Sequence, residues 1–188
     1  MLQRKGYIAL ITAATMASCN AADDKLIPDQ QTAIVNFLTG KGFEYDRAGG
    51  VYRHIANADR EGYNDADSIV VGDEVTFDFD AYTFSSGPGT MFYTSKPESI
   101  SKMGLPFGST DNGDVDAQAG GWQLSPRRIR LGSDPLMGSI AVAMPGCRQG
   151  DSVALFITSD LAYNRKPMGP IPKDTPLVYV LNIRNVTK

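Results

Sequence analysis

The chain has 188 residues, of which 42% are apolar and 21% are charged, and its 18 basic and 21 acidic side chains give a net charge of −3. This balance is typical of a globular chain, and the length favours one domain of about 100–200 residues. The acidic balance argues against nucleic-acid binding, which clustered Lys and Arg drive, and two cysteines and one histidine are too few for a disulfide scaffold or for most zinc sites.

The first twenty residues have the pattern of a targeting signal. Arg4 and Lys5 precede an apolar run from Tyr7 to Met16, and small residues follow before Cys19. This order is typical of a secretory signal peptide, which takes no part in the fold. A cysteine directly after Ala-Ser resembles the cleavage site of bacterial lipoproteins. The resemblance implies that lipid on Cys19 anchors the protein to the outer membrane of the Gram-negative cell envelope, at its periplasmic face or at the cell surface. An ordinary signal peptide with an incidental cysteine is the alternative.

Four parts are predicted along the chain. Residues 1–18 form the signal peptide, and residues 19–28 form the lipidated cysteine with a flexible tether. A helix and a lead-in strand occupy residues 29–68. The remaining residues, 69–188, form one domain that contains an inserted segment at 96–126.

A helix is predicted near the start of the mature chain. Ile34, Phe37 and Leu38 share one helical face after Pro28, and glycine at position 40 ends the pattern. The predicted helix has one apolar face, and we expect that face to be buried.

Short strands are predicted downstream by apolar residues that alternate with polar ones. Val75, Phe77 and Phe79 share one side of the clearest of these strands. Further strands are predicted at residues 51–56, 91–94, 128–131, 152–158 and 177–183.

A single helix is predicted between these strands. Pro135 suits its first turn, with Ser133 or Asp134 as the cap, and Leu136 and Ile140 lie on one face. The inserted segment has no sustained period apart from a helical turn near residues 98–103. These elements favour an α+β fold in which an antiparallel sheet wraps a short central helix.

The second half of the chain carries motifs in a recognisable order. The most specific are Leu161-Ala162-Tyr163, then Ile171-Pro172, then Leu177-Val178-Tyr179. Over roughly residues 70–186 the chain resembles an FKBP-type peptidyl-prolyl cis-trans isomerase domain. The resemblance implies that family's twisted antiparallel sheet of five or six strands, wrapped over a short helix.

The resemblance also implies a site that needs no nucleophile, metal or cofactor. Isomerising an X–Pro bond means crossing a barrier of roughly 18–20 kcal/mol that amide resonance sets. A dry aromatic cup lowers this barrier when it binds the twisted amide more tightly than the planar one. The expected partners are therefore proline-containing protein or peptide segments. The resemblance places the catalytic role on Phe79, Tyr163 and Tyr179. It places substrate binding on Phe92, Tyr93, Leu136, Met137, Ile140 and Ile171.

Several positions depart from the family pattern. Tyr93 stands in the place of the pocket carboxylate, and Ile140 replaces a large aromatic residue at the floor, which would deepen the cup. Asn164 replaces the glycine after Leu-Ala-Tyr, and Asn is the commonest substitute for Gly where φ is positive. The aromatic residue on the strand before Leu131-Gly132 is replaced by Arg127 or Ile129. Trp122, in the inserted segment, could replace that aromatic residue, fill the cup or belong to the core.

Three functions therefore follow from the sequence. The first is a prolyl isomerase of the cell envelope, active in the folding of secreted chains. The second is a module that binds proline-containing or apolar segments with weak turnover or none. The third is a structural envelope lipoprotein whose cup is filled by its own chain.

Overall fold

The computed structural model describes residues 16–104, 124–133, 137–169 and 171–188, with side chains from residue 24 onward. Two short 3₁₀ turns lie at Tyr63–Asp65 and Pro97–Lys102. In chain order the helices and strands are α1 (Met16–Gly40), β1 (Asp46–Ala48), β2 (Val51–Ile55), β3 (Glu74–Phe84), β4 (Pro88–Thr94), β5 (Arg127–Arg130), α2 (Gly138–Ala143), β6 (Ser152–Ile157), α3 (Ser159–Tyr163) and β7 (Leu177–Thr187).

All seven strands join one antiparallel sheet, which confirms the predicted sheet type. The strand order is β1-β2-β6-β7-β3-β4, and β5 also pairs with β3. The pairing of β3 with β7 is the longest and runs from Glu74 opposite Thr187 to Thr83 opposite Leu177. The resemblance implies five or six strands, whereas the described residues form seven. The three-residue β1 is too short to show an alternating pattern in the sequence.

One face of the sheet wraps α2, as the predicted fold class requires. Because side chains alternate between the two faces of a strand, β3 and β7 each direct a continuous apolar row toward this helix. Phe77 and Phe79 of β3 and Leu181 of β7 have no exposed surface, and Ile140 of α2 is 2% exposed. This packing forms the main core.

The opposite face of the same sheet is covered by α1. Ile34 and Leu38 are fully buried against a second apolar cluster that includes Phe84, Phe156 and Val178. The apolar face predicted for this helix is therefore confirmed. The helix ends at Gly40, as the sequence predicts, and Gly42 beyond it takes a φ of +67°.

The start of α1 differs from the prediction. α1 begins at Met16, so the segment 19–28, which we expected to be a flexible tether, is helical. Pro28 lies inside the helix. Extending a formed helix costs little because each added residue contributes one hydrogen bond, and this segment contains good helix formers. No helix among the described residues is both long and apolar enough to cross a bilayer.

The start of α2 also differs from the prediction. The helix begins at Gly138 because Met137 has a φ of +58°, a left-handed conformation that a right-handed helix cannot include. The Ser133 hydroxyl, expected to cap the helix, donates instead to the Arg130 carbonyl. Residues 134–136, which include the other expected cap, lie outside the described residues.

Candidate active site

A cavity of about 370 Å³ lies between α2, α3 and the facing ends of β6 and β7. We refer to it as the central cavity. Met137 and Ile140 line it from the start of α2, and Leu161 and Tyr163 line it from α3. Tyr179 of β7 completes this part of the wall. The volume falls within the range of small-ligand pockets.

Two tyrosine hydroxyls meet in the wall of the central cavity. Tyr163 Oη and Tyr179 Oη are 3.0 Å apart and share a hydrogen bond. Burial raises the pKa of Tyr163, and it raises the pKa of Tyr179 well above its ordinary value, with the neighbouring Tyr163 adding to the second shift. Both phenols are therefore neutral near pH 7 and can donate hydrogen bonds without carrying charge.

Behind the tyrosine pair lies a group of aromatic rings from β3 and β4. The Phe79 ring is 5.9 Å from the Tyr179 ring and 4.8 Å from the Tyr93 ring, and it meets Tyr93 edge to face. Phe92 meets Tyr179 edge to face at 6.3 Å. Such pairs stabilise by about 0.5–1.5 kcal/mol beyond their burial. Phe79 and Phe92 thus pack directly against the Tyr179 ring, and Tyr93 packs on Phe79.

Tyr93, which the sequence resemblance aligns with the family's pocket carboxylate, has a cationic partner. Arg127 Nη2 donates to Tyr93 Oη at 2.5 Å, and the guanidinium lies 5.9 Å from the centre of the Tyr93 ring. β5 brings the two together, because it pairs with β3 and sets Arg127 opposite Phe77. From the sequence, either Arg127 or Ile129 replaces the aromatic residue that the family has on the strand before Leu131-Gly132. Arg127 makes the polar contact with Tyr93, and Ile129 is buried in the same core cluster as the aromatic rings.

The residues expected from the sequence fall into three groups. Four of them line the central cavity: Met137, Ile140, Tyr163 and Tyr179. Another group lies behind that lining among the described residues, with Phe79, Phe92 and Ile171 no more than 1% exposed and Tyr93 8% exposed. Leu136 and Trp122 lie outside the described residues, and so does the side chain of Cys19.

The sequence analysis missed several lining residues. Ile157 and Leu177, paired across β6 and β7, continue the lining beyond Ile140. Ser139 also lines the cavity, and its hydroxyl donates to the Leu161 carbonyl, which ties α2 to α3. Leu161 was within reach of sequence reasoning, because it opens the Leu-Ala-Tyr motif. Leu177 was within reach in the same way, because it opens the Leu177-Val178-Tyr179 motif, whereas nothing in the sequence marks Ile157 or Ser139 as lining residues.

Groups that could support other chemistry do not gather at the cavity. Burial raises the pKa of the Cys147 thiol to about 11, and this side chain packs in the core. His54 Nδ1–H donates to the Glu44 carbonyl at 2.6 Å, and the imidazole ring stacks on Phe43. Within the part of the chain that the structure describes, no three His, Cys, Asp or Glu side chains are arranged to hold a metal ion.

Comparisons with known proteins agree with this architecture. A family model described as FKBP-type peptidyl-prolyl cis-trans isomerase matches residues 66–184. A peptidyl-prolyl cis-trans isomerase from Pseudomonas syringae pv. tomato is similar in structure, with a TM-score of 0.53 and 16% identity over 88% of this chain and 96% of that one. The N-terminal domain of FKBP42 from Arabidopsis thaliana gives a TM-score of 0.53 and 15% identity over 77% of this chain and 93% of that one. No curated protein sequence matches the chain.

Proposed function

The chain belongs to the family of FKBP-type peptidyl-prolyl cis-trans isomerases, and we propose that it isomerises X–Pro bonds in the central cavity. The observation that carries this proposal is the lining of that cavity. Met137, Ile140 and the neutral Tyr163–Tyr179 pair line a cavity of about 370 Å³, which is large enough for a proline ring and its amide.

In the proposed mechanism no covalent bond forms or breaks, because the reaction is a rotation about the peptide C–N bond. The peptide C–N bond has partial double-bond character, and the barrier to its rotation is roughly 18–20 kcal/mol. The twisted amide has lost this resonance and separates less charge, so an apolar cavity destabilises it less than the planar amide. Tighter binding of the twisted form lowers the barrier by the difference in binding free energy.

Four lining residues have a proposed part in this binding. Met137, Ile140 and Tyr179 contact the proline ring. The Tyr163 hydroxyl donates to a substrate carbonyl, and the Met137 N–H supplies a second, backbone donor. Phe79, behind the lining, holds the ring of Tyr179 in place.

A second candidate function is the binding of proline-containing or apolar segments with little turnover. The contact between Arg127 and Tyr93 favours it, because this pair occupies the place where the family has a carboxylate. An Arg–Tyr pair differs from a carboxylate in charge and in hydrogen-bonding capacity. The cavity could then bind the segment without preferring the twisted amide.

We also propose that the protein is anchored in the cell envelope through lipid on Cys19. The support is the sequence alone: a basic region, an apolar run and a cysteine after small residues. Labelling of cells with a radioactive fatty acid should mark the wild-type protein and leave Cys19→Ser unlabelled. Equal labelling of the two would exclude Cys19 as the lipid site.

A protease-coupled assay on Ala-X-Pro peptides separates the isomerase from the alternatives. We expect isomerisation that is faster than the uncatalysed rate and is inhibited by an FKBP-type macrolide. Macrolide binding without rate enhancement would support the second candidate function. An uncatalysed rate together with no macrolide binding would overturn both and leave a structural role.

A further inference from the structure

A buried glutamine in α1 makes long-range hydrogen bonds to two segments of the domain. Gln30 is 8% exposed. Its Nε2 donates to Ser159 Oγ at 3.0 Å and to the Asp174 carbonyl at 2.8 Å, and its Oε1 accepts from the Ser159 N–H at 2.9 Å. Both donors and one acceptor position of the amide are therefore used in a single geometry.

The two segments that Gln30 joins both lead into the aromatic site. Ser159 is the first residue of α3, and Tyr163, whose hydroxyl meets Tyr179, is the last. Asp174 lies in the loop between Ile171 and β7. One side chain from α1 thus holds the start of the helix that carries Tyr163 and the loop that leads to Tyr179.

The short helix α3 depends on such external bonds. It has five residues, far fewer than an isolated helix needs for stability. Thr158, at its N-cap, makes no side-chain capping bond, and the Gln30 amide oxygen accepts the Ser159 N–H instead. Gln30, which lies more than a hundred positions away in the chain, therefore caps α3 in place of a neighbouring side chain.

Two further residues, Arg165 and Ser139, hold α3 in the same place with three hydrogen bonds. Arg165 donates through its backbone N–H to the Ser159 carbonyl and through Nε to Asp174 Oδ1 at 2.8 Å, which joins the same two segments again. On the cavity side the Ser139 hydroxyl donates to the Leu161 carbonyl. The helix is fixed between α1 on one side and α2 on the other.

We propose that Gln30 is a positioning residue of the active site, which sets Tyr163 against Tyr179 through Ser159 and Asp174. The inference rests on the proposed isomerase function. In this proposal α1 helps to position the residues of the site, although α1 lies outside the residues 66–184 that the family model matches. Gln30 does not line the central cavity and acts only through the two segments that it joins.

The test compares substitutions at Gln30 with one at Ile34. Gln30→Met keeps the volume of the side chain and removes all three hydrogen bonds. We expect kcat/KM on an Ala-X-Pro peptide to fall at least fivefold, with most of the loss in kcat. Gln30→Glu retains an acceptor for the Ser159 N–H but sets a carboxylate oxygen against the Asp174 carbonyl, so kcat/KM should fall in this variant as well. Ile34→Ala, buried one turn further along the same helix, should lower stability and leave kcat/KM within twofold.

A second measurement does not require catalysis. Amide hydrogen exchange at Leu161, Ala162 and Arg165 should be faster in Gln30→Met than in Ile34→Ala, relative to the exchange of core amides in β7. If the wild-type chain shows no isomerase activity, the proposed function fails. The exchange data still test whether Gln30 holds α3 in place. Unchanged exchange in Gln30→Met overturns the inference. So does a loss of kcat/KM that Ile34→Ala shares in full.

Discussion

Tyr179 illustrates how strand register places a functional side chain. It lies opposite Leu155 of β6 and opposite Ala81 of β3, so it occupies the central strand of the sheet with partners on both sides. A small residue at position 81 leaves room for the ring to meet Phe79. The register thus determines which phenol reaches the cavity and which rings support it.

At this scale we predict the effect of removing the Tyr179 side chain. Tyr179→Ala should lower kcat/KM about tenfold or more, because it deletes both a ring of the cavity wall and the partner of the Tyr163 hydroxyl. Tyr179→Phe keeps the ring and should lose less. The measurement is the protease-coupled assay at a temperature where circular dichroism shows each variant to be folded.

The control for this prediction is His54→Ala, which should leave kcat/KM unchanged. His54 contacts Phe43 and the Glu44 carbonyl and does not line the cavity. Equal losses in Tyr179→Ala and His54→Ala would place the site elsewhere.

Among the elements, α3 is short and ends in an unusual conformation. Asn164, at its C-cap, has a φ of +50°, and Arg165 follows with a φ of +60°. The positive φ expected at Asn164, where the family has glycine, is confirmed. This left-handed ending turns the chain immediately after Tyr163 and allows the Arg165 N–H to reach back to the Ser159 carbonyl.

We predict opposite effects of two substitutions at Asn164. Asn164→Gly should leave the free energy of unfolding unchanged or raise it by up to about 1 kcal/mol, because glycine adopts positive φ without steric cost. Asn164→Val should lower it by about 2 kcal/mol, because a β-branched side chain is strained there. Urea unfolding measures both. Lys166→Val, at a nearby exposed position without positive φ, should change stability by less than about 0.5 kcal/mol; a drop that matches that of Asn164→Val would contradict the role of strain.

For the molecule as a whole, the two apolar clusters share the same strands. Leu155 faces the main core and its neighbour Phe156 faces α1, and Val178 and Tyr179 divide in the same way. If the packing of either cluster were lost, one face of the strands that carry the other cluster would therefore be exposed to water. The sheet couples the helix α1 to the site energetically as well as through Gln30.

From this coupling we predict that the chain unfolds in one transition. Far-ultraviolet circular dichroism, dominated by α1, and near-ultraviolet dichroism of the tyrosines should give the same urea midpoint. Ile34→Ala should lower the free energy of unfolding by about 2–4 kcal/mol and shift both signals together. If the helical signal were lost at a lower urea concentration than the tyrosine signal, α1 would be an independent unit.

The sequence by itself determined the approximate places of α1, α2 and most of the strands, and the identity of the aromatic residues; it did not reveal β1 or α3. Alternation along β3 and β7 marked the core-facing rows because side-chain direction in a strand depends only on position along that strand. The Leu-Ala-Tyr, Ile-Pro and Leu-Val-Tyr motifs located Tyr163, Ile171 and Tyr179. The resemblance, which places a glycine where this chain has Asn164, predicted the left-handed conformation of that residue.

Only the tertiary structure decided how these pieces meet. The cap on α3 comes from Gln30, the partner of Tyr93 is Arg127, and the cavity continues to Ile157 and Leu177. Each of these contacts joins residues that are far apart in the chain, and no local propensity encodes them. They arise because a twisted sheet buries both of its faces, which brings α1 against the strands that support the cavity and leaves each buried polar group to find a partner in the folded chain.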